Sequence, residues 1–67
     1  MSAAGGREYW EVFAREDRSG SLRHVGAVEA TDADDAGIFA TTLYDEFKWA
    51  EMFVTPRRAI IQVIRPG

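Results

Sequence analysis

The chain has no cysteine. That excludes disulfide staples and thiolate metal sites together, and it favours a reducing, cytoplasmic setting. It also lacks an excess of basic charge. Eleven acidic residues face eight basic ones, a net charge of −3, which argues against nucleic acid as the main partner, because phosphate binding wants a basic surface. No apolar run approaches the roughly 18 residues that a membrane span needs, so no membrane partner is expected. The opening MSAAGGRE carries neither the basic start nor the apolar stretch of a signal peptide. Residues 1–7 are expected to form a flexible tail, and residues 8–67 a single domain. There are no repeats, no low-complexity segment and no internal linker.

A domain of 67 residues buries only about 60% of the surface that its unfolded chain exposes. Such domains usually need a disulfide, a metal or a partner. With cysteine absent, a very good core or an oligomer is left.

The apolar pattern predicts an α+β fold of order β-β-α-β-β. A first strand fits Glu8 to Glu16 and a second Ser21 to Ala30. DRSG, Asp17 to Gly20, joins them as a hairpin turn, with Gly20 available for a positive φ. Gly26, inside the second strand, points to a bulge or a close backbone approach. TDADD, Thr31 to Asp35, is a helix start: Thr31 and Asp34 form a short capping box, and three carboxylates suit the helix dipole. The helix is expected to run to about Phe47 on a stripe of Ala36, Ala40, Leu43 and Phe47, with Phe39 beside it. Gly37 is read as a place where the helix passes close to the sheet. Ala50 to Thr55 is a third strand that Pro56 ends, and Arg57 to Ile64 a fourth.

Strand alternation then raises a problem. Trp10, Val12 and Ala14 point one way; Tyr9, Glu11, Phe13 and Arg15 point the other. In the third strand Ala50, Met52 and Val54 oppose Glu51, Phe53 and Thr55. In the fourth, Ile61 and Val63 oppose Ile60, Gln62 and Ile64. Three of four strands are apolar on both faces, yet one helix covers only one face. An open apolar sheet is a patch that soluble monomers avoid. Another polypeptide, or the chain's own tails, must cover the second face.

No catalytic pattern stands out. His24, the only histidine, has no carboxylate or second histidine at ligand spacing, so a structural or interface role is expected. Asp32, Asp34, Asp35 and Gly37 resemble a calcium loop, but Leu43 stands where its bidentate acid belongs. G-x-S-x-G, the P-loop and G-x-G-x-x-G are absent. Ser19 and Ser21 are turn residues. Arg57 and Arg58 could bind phosphate or a carboxylate, but at a turn between strands a solvated pair is expected. The aromatic residues could stack bases, but packing fits an acidic chain better. No cofactor is expected.

The motif order carries a family resemblance. WEVF (Trp10 to Phe13), Arg15, Arg18, HVG (His24 to Gly26), Ala30, Asp32, Ala33, Ala36, Ala40, Tyr44, Val54, Pro56 and Ile60 follow one another. Over about Tyr9 to Ile60 this resembles the small B subunit of the bacterial multicomponent phenylacetyl-CoA epoxidase of phenylacetate degradation. The resemblance implies a non-catalytic subunit that looks like a dimeric bridge. The di-iron chemistry would lie on a separate ferritin-like catalytic subunit, paired with a related helical subunit and served by a flavin and iron–sulfur reductase. Two departures are visible. Asp45 to Phe53 replaces a more basic segment, with Phe53 where the family carries Trp. The polar tail of many members does not follow Ile64 in this sequence. These leave the aromatic acyl-CoA substrate open.

The expected interface comprises Tyr9, Phe13, Arg15, His24, Phe53 and Ile60, and the expected partners are a second copy of the chain and the catalytic and helical oxygenase subunits. A second reading is a self-contained α+β homodimer enclosing a small-molecule or catalytic site. A pocket lined by His24 and one or two arginines would favour it; a flat, continuous apolar sheet face would favour the first.

Overall fold

The computed structural model describes residues 6–46 and 48–66. Three strands, β1 (Glu8–Arg15), β2 (Arg23–Ala30) and β3 (Glu51–Pro56), form one antiparallel sheet of order β2-β1-β3. A single helix, α1 (Ala33–Leu43), packs against it, and a short 3-10 turn, Arg57–Ala59, follows β3. The architecture is a small α+β fold of order β-β-α-β. Most of the expected tail, residues 1–5, lies outside the described residues.

The β1–β2 hairpin closes through Asp17. Its carbonyl accepts from Gly20 N at 3.1 Å, and its Oδ1 accepts from Ser19 N and Ser19 Oγ. These bonds, led by the Ser19 hydroxyl, hold the Asp17 carboxyl below the usual aspartate range. No glycine among the described residues has a positive φ, so Gly20 does not take the left-handed conformation expected of it; the aspartate builds the turn instead. In β2, Val12 pairs with Gly26 and Phe13 with His24, leaving Val25 as a bulge. The bulge expected near Gly26 is therefore present. So is the close approach: a Cβ on Gly26 would stand 2.0 Å from the Tyr44 hydroxyl.

Asp32, one residue later than Thr31, caps α1, accepting from Asp35 N at 2.9 Å. The helix stops at Tyr44, short of the expected Phe47, which is itself outside the described residues. Two causes act together. Thr41 and Thr42 turn their hydroxyls back onto the Gly37 and Ile38 carbonyls, which weakens a helix interior. The Tyr44 hydroxyl donates to the Ala27 carbonyl, tying the helix end to the sheet. Among the described residues of the expected stripe only Ala36 and Ala40 are buried; Leu43 and, beside it, Phe39 are exposed. Gly37 has nothing within 4 Å of where its Cβ would be, so it marks no close approach. The two alanines let the helix sit down on the sheet.

The core lies between helix and sheet: Trp10, Val12, Val28, Ala30, Ala36 and Ala40, with Val25, Tyr44, Met52 and Val54 packed against it. Trp10, Val12 and Ala14 thus face the helix, as one of the two alternations allows, and Tyr9, Glu11, Phe13 and Arg15 face away. Trp10 also donates its indole N–H to the Ala30 carbonyl at 3.1 Å.

The fourth strand is not formed. Arg57 pairs with Glu11 and Arg58 with Glu8, both on β1. Those two contacts hold the residues after Pro56 beside the start of β1, as a 3-10 turn, and do not let them fold back along the outer edge of β3. Residues 60–66 follow without regular structure.

Two substitutions check this packing. Trp10→Ala should lower the unfolding free energy in urea by about 3–5 kcal/mol, as for a buried large aromatic. Gly26→Ala should cost about 1–3 kcal/mol by pushing on the Tyr44 ring. In a Tyr44→Ala background the same change should be close to neutral, a non-additivity that independent sites would not show.

Candidate functional site

The face of the sheet turned away from the helix is built on the odd-numbered residues of β1. Tyr9, Glu11, Phe13 and Arg15 run down its middle because β1 is the central strand. β2 contributes His24, opposite Phe13, and β3 contributes Phe53, opposite Phe13 on the other side. The three rings meet. Phe13 lies 5.5 Å from Phe53 in a stacked pair and 5.2 Å from His24 in a tilted one. Both are favoured aromatic separations.

Glu11 is the one buried charged residue among the described residues, 8% exposed. Its Oε1 lies 2.6 Å from His24 Nε2, and its Oε2 accepts from Arg57 Nε. The Arg57 guanidinium is also 4.6 Å above the Tyr9 ring. A histidine ring and a guanidinium therefore converge on one carboxylate, from β2 and from the turn after β3. The hydrogen bond from Arg57 holds the Glu11 carboxyl below the ordinary glutamate range; burial opposes this, and His24 adds to it.

The expected interface residues divide. Tyr9, Phe13, His24 and Phe53 come together on this face. Ile60 reaches its margin and, with Glu11, Arg57 and Gln62, lines an open hollow of about 450 Å³. Arg15 is held elsewhere. Its Nη1 donates to the Arg18 and Gly20 carbonyls, clamping the hairpin turn, and its Nε lies 2.8 Å from Glu51 Oε1, a Coulombic contact without hydrogen-bond alignment. Arg57 and Glu11 are the functional residues that the pattern did not single out together. Alternation puts Glu11 on this face, but nothing local announces an arginine 46 positions later.

The face is not the flat, continuous apolar surface that would favour the bridging-subunit reading. Tyr9 and Phe53 are exposed, as is Ile60, but the charged Glu11–His24–Arg57 cluster separates Tyr9 from the Phe13–Phe53 pair. The chain's own turn thus supplies part of the cover that the face required. A second, shallower hollow of about 270 Å³ lies at the β2 side, lined by Arg23, His24, Val25, Tyr44, Glu46 and Trp49. Arg23 there pairs with Glu16 at 2.7 Å and stands 5.5 Å over the Trp49 ring.

Among the described residues no three histidine or acidic side chains stand close enough to hold a metal ion, and no helix is long and apolar enough to cross a membrane. The chain matches no family model, no curated protein and no solved structure.

The cluster sets a pH dependence. The Glu11 carboxyl ionises more readily folded than unfolded, so its contribution to stability is full above the ordinary glutamate value of 4.5. It is lost as the pH falls through the lowered folded value. Acid unfolding curves should therefore be shallower below about pH 4.5 for Glu11→Gln than for the parent chain. At pH 7 the same variant should lose about 1–2 kcal/mol, because Arg57 is half exposed and water replaces part of the pair.

Proposed function

We propose that the chain is a non-catalytic, bridging subunit of a cytoplasmic multicomponent di-iron oxygenase acting on an aromatic acyl-CoA, of the phenylacetyl-CoA epoxidase type. The observation that carries this is the face opposite the helix. Its three meeting rings, with Tyr9 and Ile60 at the margin, give a semi-apolar surface. A cluster in which Glu11 is answered by His24 and Arg57 fixes the shape of that surface. Aromatic residues and arginine around a rigid centre are the chemistry of protein interfaces. The motif order from Trp10 to Ile60 supports the same reading. In it, the catalytic and helical subunits carry the iron and the substrate, and this chain holds them in register.

The hollow lined by Arg23 and His24 favours a second reading, a small-molecule site in a self-contained homodimer. Against it, Arg23 is already engaged by Glu16 and Trp49, and His24 by Glu11.

Co-expression with the catalytic and helical oxygenase subunits of the same cell tests the first reading. The parent chain should elute with them from a sizing column, and Phe13→Ala should weaken that association by about 2 kcal/mol while the helix signal stays. Purified alone, the chain should carry no stoichiometric iron and turn over no acyl-CoA. A parent chain that elutes apart from those subunits, or holds iron by itself, overturns the reading.

A further inference from the structure

The residues after the 3-10 turn are Ile60-Ile61-Gln62-Val63-Ile64. Ile61, Val63 and Ile64 are 85%, 91% and 88% exposed, and Ile60 is 44% exposed. A run this rich in β-branched residues, with no charge and no proline, has the composition of a strand. Ile60 already has an extended backbone, φ −85° and ψ 127°. The segment thus has the composition of a strand but no pairing, and it bends at Val63 and Ile64.

The sheet offers a matching edge. With order β2-β1-β3, both β2 and β3 are outer strands. The Val25 bulge disrupts β2, and bulged edges resist pairing. No bulge interrupts the pairing of β3 with β1, and no described strand pairs with its other side. Met52 and Val54, on its helix side, are only partly covered. The edge and the segment are each five residues long, 51–55 and 60–64.

The two do not meet within one chain. Arg57 and Arg58 are held by Glu11 and Glu8 of β1, so the connecting turn is tied to the central strand. Ile60 and Gln62 consequently line the hollow beside Glu11 and Arg57, away from the outer edge of β3. A short connector held in this direction favours exchange of the strand between copies over a hairpin within one.

We propose that residues 60–64 add to the outer edge of β3 of a second copy as an antiparallel fourth strand, and that the two copies exchange these arms reciprocally. Pairing Ile61 with Val54 and Val63 with Met52 places both aliphatic side chains on the helix side, where the core is thin, and Gln62 on the opposite face. The antiparallel direction brings Arg65 to the Glu51 end of the edge, opposite in charge. A two-fold exchange makes every contact twice. It uses the β3 edge rather than the rings around Phe13, so it does not depend on the oxygenase reading, although Ile60 and Ile64 of the arm then border the partner's Phe53.

The absence of cysteine makes the test clean. Sedimentation of the 67-residue chain at micromolar concentration should show a dimer. A chain lacking residues 60–67 should sediment as a monomer with the helix signal retained, and Ile61→Asp should raise the dimer dissociation constant at least about thirtyfold. Mixing a Val54→Cys copy with an Ile61→Cys copy under mild oxidation should give a covalent heterodimer. A monomeric parent chain overturns the proposal, as does a truncated chain that stays equally dimeric. It is overturned too if no mixed cross-link forms while Val54→Cys and Ile61→Cys in one chain bridge internally. Phe13→Ala should leave the dimer intact; loss of the dimer there would move the interface to the open face. Failure to capture oxygenase subunits, with the dimer intact, would count against the oxygenase reading alone.

Discussion

Glu11 stands in the middle of the central strand and holds both flanks of the sheet's open face. One carboxylate oxygen meets His24 of β2, and the other receives Arg57 from the turn beyond β3. Backbone pairing already joins the three strands, but it does not decide where the chain goes after Pro56. The carboxylate does. By drawing Arg57 back over Tyr9, it fixes the turn, directs the residues that follow and fills the centre of a face that no helix covers. Burying an ion costs solvation, and here hydrogen bonds to Arg57 and His24 offset that cost.

The two faces of the sheet meet this constraint differently. On the helix side, two alanines allow close packing, Tyr44 reaches across Gly26 to the Ala27 carbonyl, and Trp10 satisfies its N–H on Ala30. Trp10 and Tyr44 have their places within the chain there, while Met52 and Val54 are only partly covered. On the other side the aromatic residues meet each other and the cluster, and part of Tyr9, Phe53 and Ile60 remains in water. A face with a charged centre and aromatic flanks suits a partner that contributes rings and aliphatic groups around a polar core.

Much of this was legible from residue order. Alternation in YWEVFAR separated Trp10 and Val12 from Tyr9 and Phe13, and Gly26 announced a bulge or a close approach, of which the structure has both. The acidic run announced the helix start to within one residue. What was not legible depended on distant partners. Ile60 to Ile64 has strand composition, and local preference alone makes it a strand. The arginines before it answer carboxylates about fifty positions earlier, and no window of neighbours shows that. Gly37 misled for the reverse reason: a glycine in a helix invites a packing explanation, whereas the close contact is made by Ala36 and Ala40. The helix end was set by Tyr44, whose hydroxyl partner lies 17 positions away.

The order of the strands also bears on how the chain assembles. β1 and β2 are joined by a short hairpin whose turn Asp17 and Arg15 hold together. β3 reaches the same central strand only after the helix has intervened. Loop closure costs more entropy for the longer connection, and contacts distant in sequence form later. The hairpin can therefore form first, with the helix settling on it through Tyr44. On the same ground β3, with Arg57 and Arg58, is expected to join last. The element expected to join last is the outer strand without a bulge, so the nascent domain would meet its surroundings through its least committed strand.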